Sequence, residues 1–311
     1  MPTEQGAQTH DFDVVIVGGG PAGTAAGVFT ARYGLDTAVF DRGRSSIQQC
    51  AHLENYPGFP AGIDIETLYA LLHDHVEEAG CELVADMVES VTRTEDGAGF
   101  VVELQDGEAV TATRVVAATR YDGEYMRPLV GDEAFFTHEH DGEEHTHFDR
   151  AYPEMDGTTP VDGLYVASPA EETDRQAIVA AGRGARVALT VVDDIRAEQG
   201  FFDPVVDHYD WLRRESSLEG EWAERERWVQ WAEENRPEDH DLADDEWEEL
   251  RDREIDRRFE TYISDDEVDR RAEAAHDRLL EHLDDDRILA YARQLEAERE
   301  TPTEQSPEAD D

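Results

Sequence analysis

A chain of 311 residues with 76 Asp and Glu, 27 Arg and no Lys carries a formal net charge of -49, which excludes nucleic acid as a partner, since neutralising phosphates needs a basic surface. Self-repulsion of this size opposes a compact fold in dilute buffer, whereas 1 M salt shrinks the Debye length to roughly 3 Å; the charge points to a molar-salt cytoplasm, as in a halophile, or to a basic protein partner. No apolar run approaches the ~20 residues of a membrane span, and Met1 to Asp11 lacks the basic and apolar regions of an export signal, so a soluble, cytoplasmic protein is expected.

In chain order, Asp13 to Val17 is a short β-branched strand that runs into a glycine turn and then an Ala-rich helix, Pro21 to Tyr33, stopped by Gly34. Gly18, Gly20 and Gly23 fit G-x-G-x-x-G between a strand and a helix, the setting the motif needs. Gly18 permits the tight turn, Gly20 lets the backbone approach a pyrophosphate, and Gly23 lets helix and strand pack closely. The start of the helix, Pro21 and Ala22, turns the N–H groups from Ala22 onward and a partial positive charge to phosphate. Asp41, followed by Arg42, ends a second strand (Thr37 to Phe40) where an acid accepts ribose hydroxyls. A Gly-, Pro- and aromatic-rich loop runs to Ile63. Asp64 caps a helix through about Ala79, and Cys81 to Ala85 is a strand.

Met87 to Thr94, Gly99 to Gln105 and Glu108 to Thr113 are separated by Asp-Gly pairs and read as an antiparallel meander. Arg114 to Thr119 returns as a buried strand. Residues 120–160 are irregular, acidic and rich in histidine. Gly163 to Ala167 is another buried strand, and Asp174 to about Arg196 a helix. From Asp207 to Glu300 the chain is charged and helix-forming, with five Trp spread along its first part, and residues 301–311 read as a disordered tail. The expected domains are 1–199 and an acidic helical appendage, 200–300.

Three segments carry a family resemblance: Val17 to Gly23 with Asp41; Leu53-Glu54-Asn55-Tyr56-Pro57-Gly58-Phe59-Pro60; and Gly163 to Ala167 leading to Arg175-Gln176-Ala177. Together they resemble the flavin-binding half of thioredoxin reductase, within the pyridine nucleotide-disulfide oxidoreductases, here of haloarchaeal type. The resemblance implies a Rossmann-like α/β domain with a parallel sheet and an antiparallel meander, followed by the helical appendage. It implies bound FAD, with Asn55, Thr119, Arg175, Gln176 and Ala177 near the flavin. A helix beginning near Arg175 would stabilise negative charge on a reduced flavin. The departures are equally specific. Where the family inserts a nicotinamide-binding domain and a C-x-x-C pair, this chain has about forty residues, too few for a βαβ nucleotide domain. The family's A-T-G becomes Ala118-Thr119-Arg120, and its G-D becomes Ser168-Pro169. Losing that carboxylate removes a charge-assisted hydrogen bond of about 1.5–3 kcal/mol, which Glu171 or Glu172 would have to replace.

Three constellations remain. Cys50 lies in the loop expected near the flavin, as a reactive thiol or a small apolar filler; Cys81 has no spacing that pairs it with Cys50. His138, His140, His145 and His147 would share one face of a hairpin turning at Asp141-Gly142, as metal ligands or as a solvated polar face. The Trp-bearing helices bury their rings in helix contacts, cover the flavin domain where the nicotinamide domain is missing, or form the interface of a homo-oligomer. Two functions follow: a flavin-dependent oxidoreductase serving a small-molecule donor and acceptor, NAD(P)H among the donors, or a non-catalytic dinucleotide-binding sensor or partner protein.

Overall fold

The apolar run that opens the chain becomes the centre of a seven-stranded sheet. The structure, a computed structural model, describes residues 10–120, 122–140, 143–168, 175–202, 205, 208–238, 240 and 242–300, the side chains of 138–140 and 143–145 excepted. The disordered tail expected over 301–311, and Pro169, Glu171, Glu172 and Asp174, lie outside the described residues. In chain order the elements are β1 (Phe12–Val17), α1 (Pro21–Tyr33), β2 (Thr37–Phe40), β3 (His52–Leu53), β4 (Ile63–Asp64), α2 (Ile65–Glu78), β5 (Glu82–Val84), β6 (Val88–Arg93), β7 (Phe100–Leu104) and β8 (Val110–Ala117). After them come α3 (Arg127–Val130), β9 (Phe135–His140), β10 (Glu143–Phe148), β11 (Leu164–Val166), α4 (Ala177–Glu198), β12 (Arg213–Arg214), α5 (Arg225–Asn235), α6 (Asp244–Glu260), β13 (Tyr262–Ile263), α7 (Asp265–Leu280) and α8 (Asp285–Glu300).

The sheet order is β5-β2-β1-β8-β7-β6, with β11 also on β8. Strands β5, β2, β1, β8 and β11 run parallel, and β6 and β7 add the antiparallel meander. One expectation needs correction. Glu108 to Thr113 and Arg114 to Thr119 are not two strands but one, β8, whose first residues pair with β7 and whose last pair with β11 along the same edge. Arg114 masks this continuity in the sequence. It is buried in the strand, its guanidinium reaching Glu198 at 2.6 Å.

Both faces of the sheet are covered, so β1 is apolar at every position from Val14 to Val17 rather than alternating. Val14 and Ile16 pack with Ala22 and Ala26 of α1 and with Val187, Ala188 and Val191 of α4. Val15 and Val17 pack on the other side with Val91, Phe100, Met126 and Phe148. Helix α4 meets α1 at Gly184, where a Cβ would lie 1.9 Å from the Ala22 carbonyl oxygen; only hydrogen fits.

Between β8 and β11 the described residues form α3, two short 3-10 turns and the β9–β10 hairpin. The hairpin closes the sheet's second face through Phe135 and Phe148. Its register pairs His138 with His145, and His147 with Phe136. The side chains of His138, His140 and His145 lie outside the described residues. His147 packs its ring 6.0 Å from Phe136.

The chain divides into two compact units, Met1–Trp211 with Arg225–Ile255, and Leu212–Glu224 with Asp256–Asp311. The division therefore falls elsewhere than at residue 199. Arg196, 1% exposed, comes from the last turns of α4 and pairs at 3.1 Å with Glu254 of α6, 5% exposed. It also donates to the Val205 carbonyl and stacks over Phe201. The Trp residues differ in fate. Trp247 is fully buried and donates to Glu233 at 2.8 Å, and Trp228 and Trp231 meet edge to face. Trp211, 66% exposed, has its ring 6.2 Å from that of Tyr209. In the second unit β12 pairs with β13, and α7 and α8 contain no buried residue.

Candidate functional site

The site lies at the carboxyl ends of β1, β2 and β8. From β1 the chain builds outward through β2 and β5 on one side, then crosses to β8 on the other. Neighbouring loops diverge at such a switch point and leave a crevice. Here the crevice is a cleft of about 670 Å³ lined by Gly18, Gly19 and Gly20 from the β1–α1 turn, Asp41, Arg42, Arg44, Ser45 and Ser46 after β2, Asp86 to Glu89 at the start of β6, and Ala118, Thr119, Arg120, Asp122, Glu124 and Tyr125 after β8.

The turn has no room for side chains. Gly18 takes a φ of +115°, and a Cβ there would lie 2.7 Å from the Ala118 carbonyl. At Gly23 a Cβ would sit 1.7 Å from the Gly18 carbonyl oxygen, so the third glycine sets the contact between helix and strand. At Gly20 the corresponding space is held by the Ser45 hydroxyl, 2.6 Å away. Pro21 stands in the first helical turn, where its missing N–H leaves no bond unmade.

Asp41, 8% exposed, is held from three directions. It accepts from the Tyr69 hydroxyl and, at 3.1 Å, from the Gly43 amide. His73 Nε2 lies 3.4 Å from its Oδ2 and 3.0 Å from the Gly19 carbonyl. Burial, and then the Asp41 carboxylate, push the Tyr69 phenol well above its ordinary pKa. Helix α2 thus supports both the glycine turn and the acid. Opposite them, Arg42 pairs with Asp122 at 2.9 Å, and Thr119 donates to the Asp122 carbonyl and lies 3.1 Å from the Tyr125 hydroxyl. Arg120 adopts a φ of +66°, a conformation that costs a non-glycine residue roughly 1–3 kcal/mol.

Of the residues expected to bind cofactor, Gly18, Gly20, Asp41, Arg42 and Thr119 line this cleft, whereas Ala22 and Gly23 are buried behind it. Asn55, Arg175, Gln176 and Ala177 lie outside the lining. Two of these meet each other: Asn55 Nδ2 donates to Gln176 Oε1 at 2.9 Å, joining the loop before β4 to the residue that precedes α4. Ala177 packs on Ile47, Ile63, Ile65 and Leu68, and Ile178 and Val179 beside it are 38% and 40% exposed. Cys50 is exposed and outside the cleft lining. Cys81 is buried, and desolvation pushes its thiol up to about 12. Sequence reasoning missed Arg44, Ser45, Ser46 and the Asp86 to Glu89 segment. Their only sequence signal is position, just past the ends of parallel strands.

Comparison with known proteins agrees with this architecture. Residues 12–158 match the model of the pyridine nucleotide-disulphide oxidoreductases. Over that segment the chain is similar to the pyridine nucleotide-disulphide oxidoreductase family. The chain is 31% identical over 131 residues to NADPH-dependent thioredoxin reductase 3 of Arabidopsis thaliana, covering 40% of this chain and 24% of that protein. It is 32% identical over 114 residues to an NADH dehydrogenase of Bacillus subtilis, covering 36% of this chain and 22% of that one. The matched region therefore spans about a quarter of the length of these relatives. Among solved structures, a thioredoxin reductase from Gloeobacter violaceus aligns with a TM-score of 0.50 and 18% identity over 66% of this chain and 98% of that one, a likeness of fold.

The residues present fit the adenosine diphosphate part of a dinucleotide such as FAD. A glycine turn that only hydrogen fits and the buried acid packed beside it line a cleft of the size small-molecule sites occupy.

Proposed function

We propose that this chain is an FAD-dependent oxidoreductase of thioredoxin reductase type that lacks a redox disulfide of its own and takes electrons from a diffusing nicotinamide dinucleotide. The observation that carries the reading is the glycine turn at the sheet's switch point, with buried Asp41 packed directly beside it in the cleft lining. In this reading the N–H groups of α1 and the Gly20 backbone hold the pyrophosphate, and Asp41, oriented by Tyr69 and His73, accepts the ribose hydroxyls. The Asn55–Gln176 pair fixes the loop and the start of α4, which would hold the flavin ring, and exposed Ile178 and Val179 would offer it apolar surface. FAD, when bound, supplies two-electron chemistry; the protein contributes binding, orientation and the partial charge of the α4 N-terminus. The net charge supports a working environment of molar salt.

A second reading, a non-catalytic dinucleotide-binding sensor, is favoured by one observation: the β9–β10 hairpin stands where a nicotinamide domain would be inserted. The visible spectrum of the protein purified in molar KCl tests both. A colourless protein that takes up no added FAD defeats the flavin reading altogether. If the protein is yellow, anaerobic titration with NADH and NADPH separates the two, since bleaching supports the oxidoreductase and its absence leaves the sensor.

A further inference from the structure

Arg120 is the one non-glycine residue with a positive φ among the described residues. Glycine adopts such a conformation without steric cost, so an arginine held there calls for a use of its side chain. That side chain lines the cleft, as does Arg44, which has no carboxylate partner among the described residues. The cleft's acids are mostly committed to protein donors. Asp41 serves Tyr69 and Gly43, Asp86 the amides of Met87 and Gly107, Asp122 pairs with Arg42, and Glu124 with Arg127. Three arginines, Arg42, Arg44 and Arg120, stand among the five acids of this lining, a larger basic share than in the whole chain with its 76 acidic and 27 basic residues.

We propose that Arg120 and Arg44 bind the diphosphate of an adenine dinucleotide in this cleft. The inference rests on the dinucleotide reading above. The guanidinium's planar fork suits phosphate oxygens, and its direct hydrogen bonds persist in salt that screens longer-range attraction.

The test is calorimetric titration of ADP, adenosine and FAD into the wild-type protein, Arg120→Gly and Arg44→Gln in molar KCl. Arg120→Gly is expected to fold at least as stably as wild type, because glycine relieves the backbone, yet to bind ADP and FAD ten- to a hundredfold more weakly, with adenosine unchanged. Arg44→Gln is expected to weaken ADP and FAD by a smaller factor. Arg120→Gly binding ADP within twofold of wild type, or wild type binding ADP no better than adenosine, overturns the proposal. Arginine-dependent ADP binding without FAD uptake keeps it and defeats the flavin reading. Equal FAD binding by wild type and Arg120→Gly does the reverse. Absence of both ligands defeats both.

Discussion

The sheet around β1 and the helices α7 and α8 show two ways of making secondary structure from one acidic chain. Val14, Val15 and Ile16 are 0% exposed, closed between helices on one face and the meander and hairpin on the other. Helices α7 and α8 bury nothing. What α7 has is local: Ser264 caps it by accepting from the Glu267 amide at 3.2 Å, and Glu267 bonds Arg270 and Arg271 at 2.6–2.7 Å. A cap is worth about 1 kcal/mol, and exposed pairs add little beside it because water and salt screen them. Burial stabilises the sheet at about 25 cal/mol per Å². The lesson is that the negative charge is tolerated wherever acids stay on the surface, while the functional cleft depends on the part of the chain with a core.

The largest contrast should appear in hydrogen exchange. Amides of Val14 to Val17 are expected to exchange more than about a thousandfold more slowly than those of α7 and α8, since core strands open only with global unfolding and frayed helices open at almost no cost. Comparable protection in the two would break the comparison. Next comes the buried pair that ties α6 to α4. Glu254→Ala leaves Arg196 charged and buried, and should cost about 3–5 kcal/mol in denaturant unfolding; a loss below 1 kcal/mol would show that water reaches this pair. Gly184→Ala forces a methyl against the Ala22 carbonyl and should cost about 1–3 kcal/mol, with a matching drop in nucleotide affinity as α1 shifts; an unchanged midpoint would place the two helices further apart.

The smallest effect concerns α7 itself. The Arg270 and Arg271 hydrogen bonds hold the Glu267 carboxyl down to about 2, from 4.5. A depressed acid stabilises the helix fully above its unfolded pKa, and that contribution is lost as pH falls from about 4.5 towards 2. Carboxyl NMR titration of Glu267 in molar salt measures it directly. An ordinary midpoint would mean that these pairs do not form, and that α7 is held by something else.

Much of the fold was legible because it is written in local chemistry. The β1 run, the glycine turn, Pro21 and Gly34 mark strand, turn and helix ends within a few residues of each other. The meander was legible from its Asp-Gly turns, but β8 was not, because Arg114 looks like a strand start until Glu198, 84 residues away, neutralises it. In the same way Tyr69 and His73 carry no mark as supports of Asp41. They read as ordinary positions on an amphipathic helix, and only its docking beside the turn makes them second partners of the acid.

By itself the sequence determined the elements whose information is short-range: a β-branched strand, a backbone turn without room for Cβ atoms, a Pro-started helix and a strongly negative charge. The tertiary structure decided which residues share a cleft. It brought Arg44 and Arg120 together in one lining and made a single strand of β8. It also carried the compact unit past residue 199 through Arg196 and Glu254. The reason is physical. Hydrogen-bonding propensity and steric fit act between near neighbours, while burial and charge compensation depend on groups brought from far along the chain.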